Sequence, residues 1–532
     1  MRLLTWARDR PTADDRGTVT AIGAQSISQS PRRWLGLAAL SVSVLVVGFD
    51  ATILNVALTT LSTELDASTS QLQWIIDAYL LVFAAMLLPA GLVGDRFGRT
   101  RTLVAGLLIF GVASLVGAWS ETSTEVIAAR ALMGVGAAMI LPATMSLIPT
   151  LFAREERTRA IGIWSAVFAA GIPLGPILGG WLLRHFWWGS VFMVNLPVLI
   201  IAVVASMVFL PESRDESVPR IDFLGVTLVV VGLSALAYGI IEAPTEGWAA
   251  ANVIVALVAG VVLLGAFVVW QHRARSPMID VALLRCRSFM VAIVVTTLAS
   301  AVMYGVLFLV PQYLESGMGN DAFGTGVRIW PLAFGVLCAA AVTERLALRL
   351  GYAKVIAAGM AILAAGCAIG AMTSVTDRYW YVAAWLAVVG LGLGLSLIPG
   401  LDVALKELSD DEAGRGSGLV MAFRQIGAAL GVAVLGSVMS TQYRRHLVVE
   451  ALPQDEADTA QRSFEGAAVV AQRMTELGLD GEHLLGSALH AYLRGMSHAL
   501  VVCGVIAILG SVTSLIFLTS SSGADGDPIA TD

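Results

Sequence analysis

Apolar runs of about twenty residues recur along nearly the whole chain, each interrupted by charges or by glycine and proline. At a rise of about 1.5 Å per residue, a helix of roughly that length crosses the hydrocarbon core of a bilayer. The pattern predicts spanning helices near residues 34–60, 73–93, 101–119, 124–150, 160–182, 189–210, 222–241, 251–270, 289–314, 325–347, 353–373, 378–401, 414–440 and 495–518. These fourteen spans make the fold class an all-α polytopic membrane protein. They divide into a six-helix bundle over 34–210, a two-helix insert with linkers over 211–288, and a second six-helix bundle over 289–518. Secondary transporters commonly pair two such halves around a central site. The tails 1–33 and 519–532 are polar, as is the long segment 441–490. Within that segment, Phe464 to Leu485 repeats apolar residues at three and four, which predicts a solvated amphipathic hairpin on the outer surface, with a substrate gate as the other reading.

Basic residues orient the bundle. Arg2, Arg8, Arg10, Arg16, Arg32 and Arg33 precede the first span, so the N-terminus is expected in the cytoplasm and the first span reads as a retained anchor. An even number of spans then places both termini inside. The inner loops carry Arg96, Arg99, Arg101, Arg154, Arg157, Arg159, Arg214, Arg220, Arg273, Arg275, Arg285, Arg287, Arg345, Arg349, Lys354, Lys406 and Arg415, against Arg184, Arg328 and Arg378 in the short outer loops. Those outer loops hold acids instead, among them Glu64, Asp66, Glu121, Glu125, Glu246 and Asp321. The expected location is a bacterial plasma membrane, crossed many times.

Composition narrows the function classes. Of 532 residues, 57% are hydrophobic and 14% charged, proportions that a water-exposed surface could not carry. The net charge of -6 suggests no nucleic-acid partner. Cys286, Cys338, Cys367 and Cys503 lie far apart with neither disulfide nor zinc spacing, and no metal or cofactor is called for. The two lysines, Lys354 and Lys406, sit in no phosphate-binding loop, so an ATP-driven pump is not expected. The six histidines are scattered through loops and helix ends, which argues against an enzyme. The remaining class is a transporter driven by an ion gradient, expected to act as a monomer on a small molecule and protons.

Two glycine-bearing motifs stand out. GLVGDRFGRTR, between the second and third spans, sets Gly91, Gly94 and Gly98 among Asp95, Arg96, Arg99 and Arg101. The glycines permit close helix packing, while the acid and arginines can cap and bridge neighbouring helix ends. GIPLGPILGG, in the fifth span, places Gly171, Gly175 and Gly179 four apart on one face, with Pro176 expected to bend the helix. The loop motif resembles the signature of the major facilitator superfamily, and the fifth-span motif is similar to the antiporter motif of its drug-export branches. ARALMGVGAAMILP (129–142), FDATILNVAL (49–58) and WWGSVFMVNLP (187–197) are similar to segments of the 14-spanner drug:proton antiporters, often called EmrB/QacA-like. The resemblance runs the length of the chain. It implies a major facilitator fold and proton-coupled export of lipophilic or cationic drugs by alternating access, with export of an endogenous metabolite, lipid or antibiotic as the alternative.

Ionisable residues inside the bilayer cost roughly 3 kcal/mol each on insertion scales and are functional by default. Asp50 in the first span, Asp77 in the second and Arg130 in the fourth share one layer in the outer part of the N-terminal half. Asp50 is expected to carry the proton under the influence of Arg130, a static ion pair being the other reading. Asp77 would assist it or meet a cationic substrate, unless it merely caps its helix or is solvated. Trp74, one turn before Asp77, would add an aromatic face, and Tyr304, Phe308, Tyr313, Trp330 and Phe334 in the ninth and tenth spans are candidate cavity aromatics. The thirteenth span carries Arg424 and no acid, and Glu344 falls near the inner end of the tenth. Export of divalent cations is thereby put in doubt.

Overall fold

The computed structural model describes residues 32–214, 222–274, 286–406, 413–449, 452–477 and 479–519. The tail 1–33 therefore lies almost wholly outside the described residues, as does the C-terminal tail from 520 onward, together with Arg220, Arg275 and Arg285. Spanning helices α1 to α6 are Arg32–Glu64, Thr69–Phe97, Arg99–Ala118, Ser123–Leu151, Arg154–His185 and Asn195–Phe209, the last preceded by the turn Ser190–Met193. The insert is α7 (Phe223–Glu246) and α8 (Ala251–Arg273). Then come α9 (Arg287–Gln312), α10 (Trp330–Leu350), α11 (Tyr352–Ala371), α12 (Tyr379–Lys406) and α13 (Ala413–His446). Two short helices, α14 (Gln454–Arg462) and α15 (Phe464–Glu476), precede the last span, α16 (Gly481–Thr519). Fourteen helices among the described residues are long and apolar enough to cross a membrane.

The spans outrun their hydropathy pattern. α16 starts fourteen residues before the predicted 495, and α13 ends at His446 where 440 was predicted. Helical backbone satisfies its own hydrogen bonds in water as well as in lipid, so polar residues prolong these helices beyond the apolar stretch. α2 begins with a capping box in which Ser68 and Gln71 exchange hydrogen bonds. Gly98, at φ +117°, makes the turn into α3.

α1 packs on α5 and α6, and α4 on α2 and α3. In the second half α9 packs on α12, α13 and α16, while α12 also holds α10 and α11. The halves meet where α2 runs along α13, and where the short helix Ala322–Arg328 abuts α5. α7 lies against both α2 and α13, and α8 packs on α7. The face of α6 turned away from the bundle is apolar, with Met207 69% exposed, as lipid contact requires.

The 441–490 segment refines an expectation: its polar face is exposed at Asp455, Asp458, Arg473 and Glu476, but its apolar face is docked on the bundle. Phe464, Ala467, Val470 and Ala471 are buried, and Phe464 meets Tyr492 of α16 edge-on at 6.1 Å. The Tyr443 hydroxyl donates to the Ala460 and Ser463 carbonyls, and Thr69 of α2 donates to that of Arg462. The amphipathic stripe is buried because the prolonged ends of α13 and α16 give it a partner. This hairpin covers one end of the bundle, opposite the face on which α1 begins and the arginine-rich loops gather.

Candidate proton and substrate site

The glycine stripe of α5 shapes the helix that carries Asp50. Added Cβ atoms on Gly171 and Gly175 would stand 3.0 Å from the Phe49 nitrogen and 2.6 Å from the Phe49 carbonyl, and one on Gly179 2.8 Å from the Ile53 side chain. Only glycine permits this approach, which is secured by Thr52 donating to the Ile172 carbonyl at 2.7 Å. The backbone around Asp50 is thus clamped by the motif read from sequence. On the neighbouring face, a Cβ on Gly180 would collide with Ala322, and one on Gly326 with the Pro176 carbonyl. The same motif therefore serves the seam between the halves.

Asp50 and Arg130 are buried, at 1% exposure each, and their side chains meet at 2.6 Å between Oδ2 and Nη1. Asn195 of α6 donates to the other oxygen of Asp50 at 3.1 Å and to Ser114 of α3 at 3.1 Å. Arg130 Nε donates to the Ile75 carbonyl of α2 at 3.2 Å, and its guanidinium stands 4.1 Å from the centre of the Tyr79 ring. Five helices of the first half thus converge on one charge pair. Sequence reasoning found Asp50 and Arg130 but missed Asn195 and Tyr79. An asparagine in the otherwise apolar sixth span was the available signal.

Asp77 is fully buried, and neither of its carboxylate oxygens has a hydrogen-bond partner among the described residues. The helix-capping and solvated readings are corrected: Ser68 caps α2, and Asp77 lies more than two turns inside it. Nor does Asp77 join the Asp50–Arg130 pair. Trp74 is also redirected, since its Nε1 donates to Glu242 of α7 at 3.2 Å and its ring lies 6.5 Å from that of Tyr238. It faces the insert, where Glu242 gives the indole N–H an acceptor.

The candidate aromatics are not gathered into one wall. Tyr304, Phe308 and Tyr313 are buried in and just beyond α9, whereas Trp330 and Phe334 are 40% and 60% exposed on α10. Tyr304 alone lies within electrostatic reach of Asp50, Arg130 and Arg424.

The loop motif works within the first half. Asp95 pairs with Arg99 at 2.9 Å, and Arg99 reaches the Ser146 carbonyl of α4 and Ser213 beyond α6. Glu212, not singled out from sequence, accepts from the Thr100 amide at 3.2 Å and stands 3.5 Å from Arg101. Its carboxylate occupies the space that a Cβ on Gly98 would need. Gly91 and Gly94 bring α2 near Pro142 and Thr102. Arg96 is exposed beside the Phe97 ring and bridges no helix end.

Two helical halves of membrane-spanning length, with a buried acid–arginine pair inside the first, define a membrane transporter. Residues 40–432 match the Major Facilitator Superfamily, and the chain belongs to that superfamily. It is 31% identical over 483 residues to the methyl viologen resistance protein SmvA of Salmonella typhimurium, covering 90% of this chain and 97% of that one. It is likewise 31% identical to the multidrug efflux pump LfrA of Mycolicibacterium smegmatis (91% and 96% covered). The tetracenomycin C resistance and export protein of Streptomyces glaucescens is also 31% identical (91% and 91%). Among solved structures, a bacterial homolog of the human lysosomal transporter Spinster matches with a TM-score of 0.65 at 16% identity, over 93% of this chain and 98% of that one.

Proposed function

We propose that this transporter exports lipophilic drugs, cations among them, from the cytoplasm across the bacterial plasma membrane in exchange for protons. The observation that carries the reading is the Asp50–Arg130 pair: a proton acceptor buried beside a fixed cation, in the helix that the α5 glycines clamp. The names of the relatives, which are resistance and efflux proteins, support the direction and the cargo class. The arginine-rich face is the cytoplasmic one, both termini lie there, and the chain works as a monomer.

The coupling step uses this chain's own groups. Ionised Asp50 engages Arg130 and Asn195 with separate oxygens. A proton arriving at Oδ2 cancels the charge and replaces an acceptor with a donor, so Nη1 of Arg130 loses its partner. Arg130 then keeps the Ile75 carbonyl and the Tyr79 ring, both on α2, the helix that runs along α13. Protonation thereby frees α1 from Arg130 while α4 stays tied to a helix of the seam, which links proton occupancy to the arrangement of the halves. Asp77, on the same helix, is the carboxylate available to cationic cargo.

The test is substrate-driven proton release from purified protein. Wild type releases protons when a lipophilic cation is added, and Asp50→Asn binds the cation without release. Unchanged release from Asp50→Asn overturns the proposal.

A further inference from the structure

Arg424 is the intramembrane charge that the coupling step leaves unused. It lies eleven residues into α13, roughly 17 Å from the start of that helix, too deep for its side chain to reach either interface. Its Nε donates to Ser300 of α9 at 3.3 Å and its Nη1 to the Met421 sulfur at 3.7 Å, both neutral and weak acceptors. No carboxylate among the described residues bonds it. Asp77, the intramembrane acid of the neighbouring α2, has no hydrogen-bond partner among the described residues. The contrast with Arg130 is direct, since that guanidinium holds a carboxylate, a carbonyl and an aromatic face.

Arg424 nonetheless keeps accessible surface, although α2, α9 and α16 surround its helix and Ser300 beneath it is 1% exposed. A guanidinium offers five N–H donors in a planar fork suited to two oxygens of one acid group. Here the remaining Nη has no acceptor among the described residues. Tyr304, one turn beyond Ser300 on α9, adds a buried hydroxyl that feels the charges of Arg424, Arg130 and Asp50. A cargo group seated on Arg424 would therefore adjoin the coupling pair.

We propose that Arg424, with Ser300 and Tyr304, forms a subsite for the carboxylate or phenolate of lipophilic aromatic cargo. The cargo supplies the counter-charge that no carboxylate among the described residues gives Arg424. The subsite deepens the export reading and rests on it: acid-bearing compounds bind on the α13 side, while cations use the separate carboxylate of Asp77.

The test uses two probes of one shape and opposite charge, 1-naphthoate and 1-naphthyltrimethylammonium, titrated calorimetrically into the purified full-length protein. Arg424→Gln weakens 1-naphthoate at least about tenfold and leaves the cation within about twofold, the loss expected for one charge-assisted contact. Arg424→Lys, which keeps the charge without the fork, falls between wild type and Arg424→Gln. Ser300→Ala weakens 1-naphthoate alone and stands in if Arg424→Gln fails to fold. Equal weakening of both probes, or 1-naphthoate affinity indifferent to all three substitutions, overturns the subsite. Failure of the export reading is seen separately: vesicles under a pH gradient would then move neither probe although binding is intact.

Discussion

Asn195 gives Asp50 its second hydrogen bond, and hydrogen bonds to a charged group contribute about 1.5–3 kcal/mol. Asn195→Ala should cut proton-driven export about tenfold or more while expression and membrane insertion hold, as read by efflux of a fluorescent cation from energised cells. Asp77 is the opposite case, a carboxylate with no partner to lose. Asp77→Asn should leave thermal stability in detergent equal or higher, and should reduce efflux of cationic but not neutral cargo. Equal loss of both would remove Asp77 from substrate contact. The charged members of the site were legible in sequence because charge is scarce within the apolar runs. Tyr79 was not, and Asn195 left only its place in an apolar span as a sign, since uncharged polar groups disturb hydropathy little and their value lies in a partner from another span. Trp74 misled for a related reason: spacing along α2 put it beside Asp77, but only the fold supplies Glu242.

The α5 stripe is where sequence and element agree most closely, because a run of glycines at helical spacing has few other uses. Gly175→Val would drive a side chain into Thr52 and the Phe49 carbonyl, and overpacking of that kind costs about 1–3 kcal/mol. Lost export and a lowered melting temperature should follow, whereas Gly162→Ala in the same helix, with open space around it, should change neither. The outer hairpin makes a prediction of its own. Burial pushes the Glu465 carboxyl above the usual carboxylate range, against the hydroxyls of Ser316, Ser463 and Ser62 that hold it down. Glu315, Tyr443 and Tyr492 are its other titratable neighbours, and Arg462 and Asp66 pair more openly nearby at 3.9 Å. A docked hairpin thus retains a proton that an undocked one gives up. Docking is fully favoured below the ordinary carboxylate range and weakens as pH rises from there toward the raised value. Amide-exchange protection across 464–476, corrected for the intrinsic base-catalysed rate, should fall as pH rises above the ordinary carboxylate range, and Glu465→Gln should abolish the fall. The hairpin's helices were legible as amphipathic periodicity; their burial was not, because hydropathy does not reveal how far α13 and α16 rise to meet them.

At the scale of the molecule, the halves touch along α2 and α13, and at the α5 end next to the short helix Ala322–Arg328. Arg184 and Asp321 face each other across the second contact at 3.7 Å, both about half exposed. Cysteines at these two positions, in a background lacking Cys286, Cys338, Cys367 and Cys503 and bridged by a flexible, reducible bis-maleimide, should cross-link and stop turnover, with full recovery on reduction. Transport continuing at the wild-type rate with the link in place would mean that this end never opens. The count of spans and their grouping could be read from the chain, whereas the pairing of halves could not, since contacts such as Gln73 with the Val432 and Ala433 carbonyls, or Arg184 with Asp321, carry no sign of their partner in the sequence.

The insert adds an asymmetry. With α7 lodged against both α2 and α13, that flank of the molecule is walled off from the surrounding lipid, and the α5–α10 flank has no such screen among the described residues. A greasy compound dissolved in the bilayer would then meet the described halves from the unscreened side, and the two extra spans would set the direction of its approach.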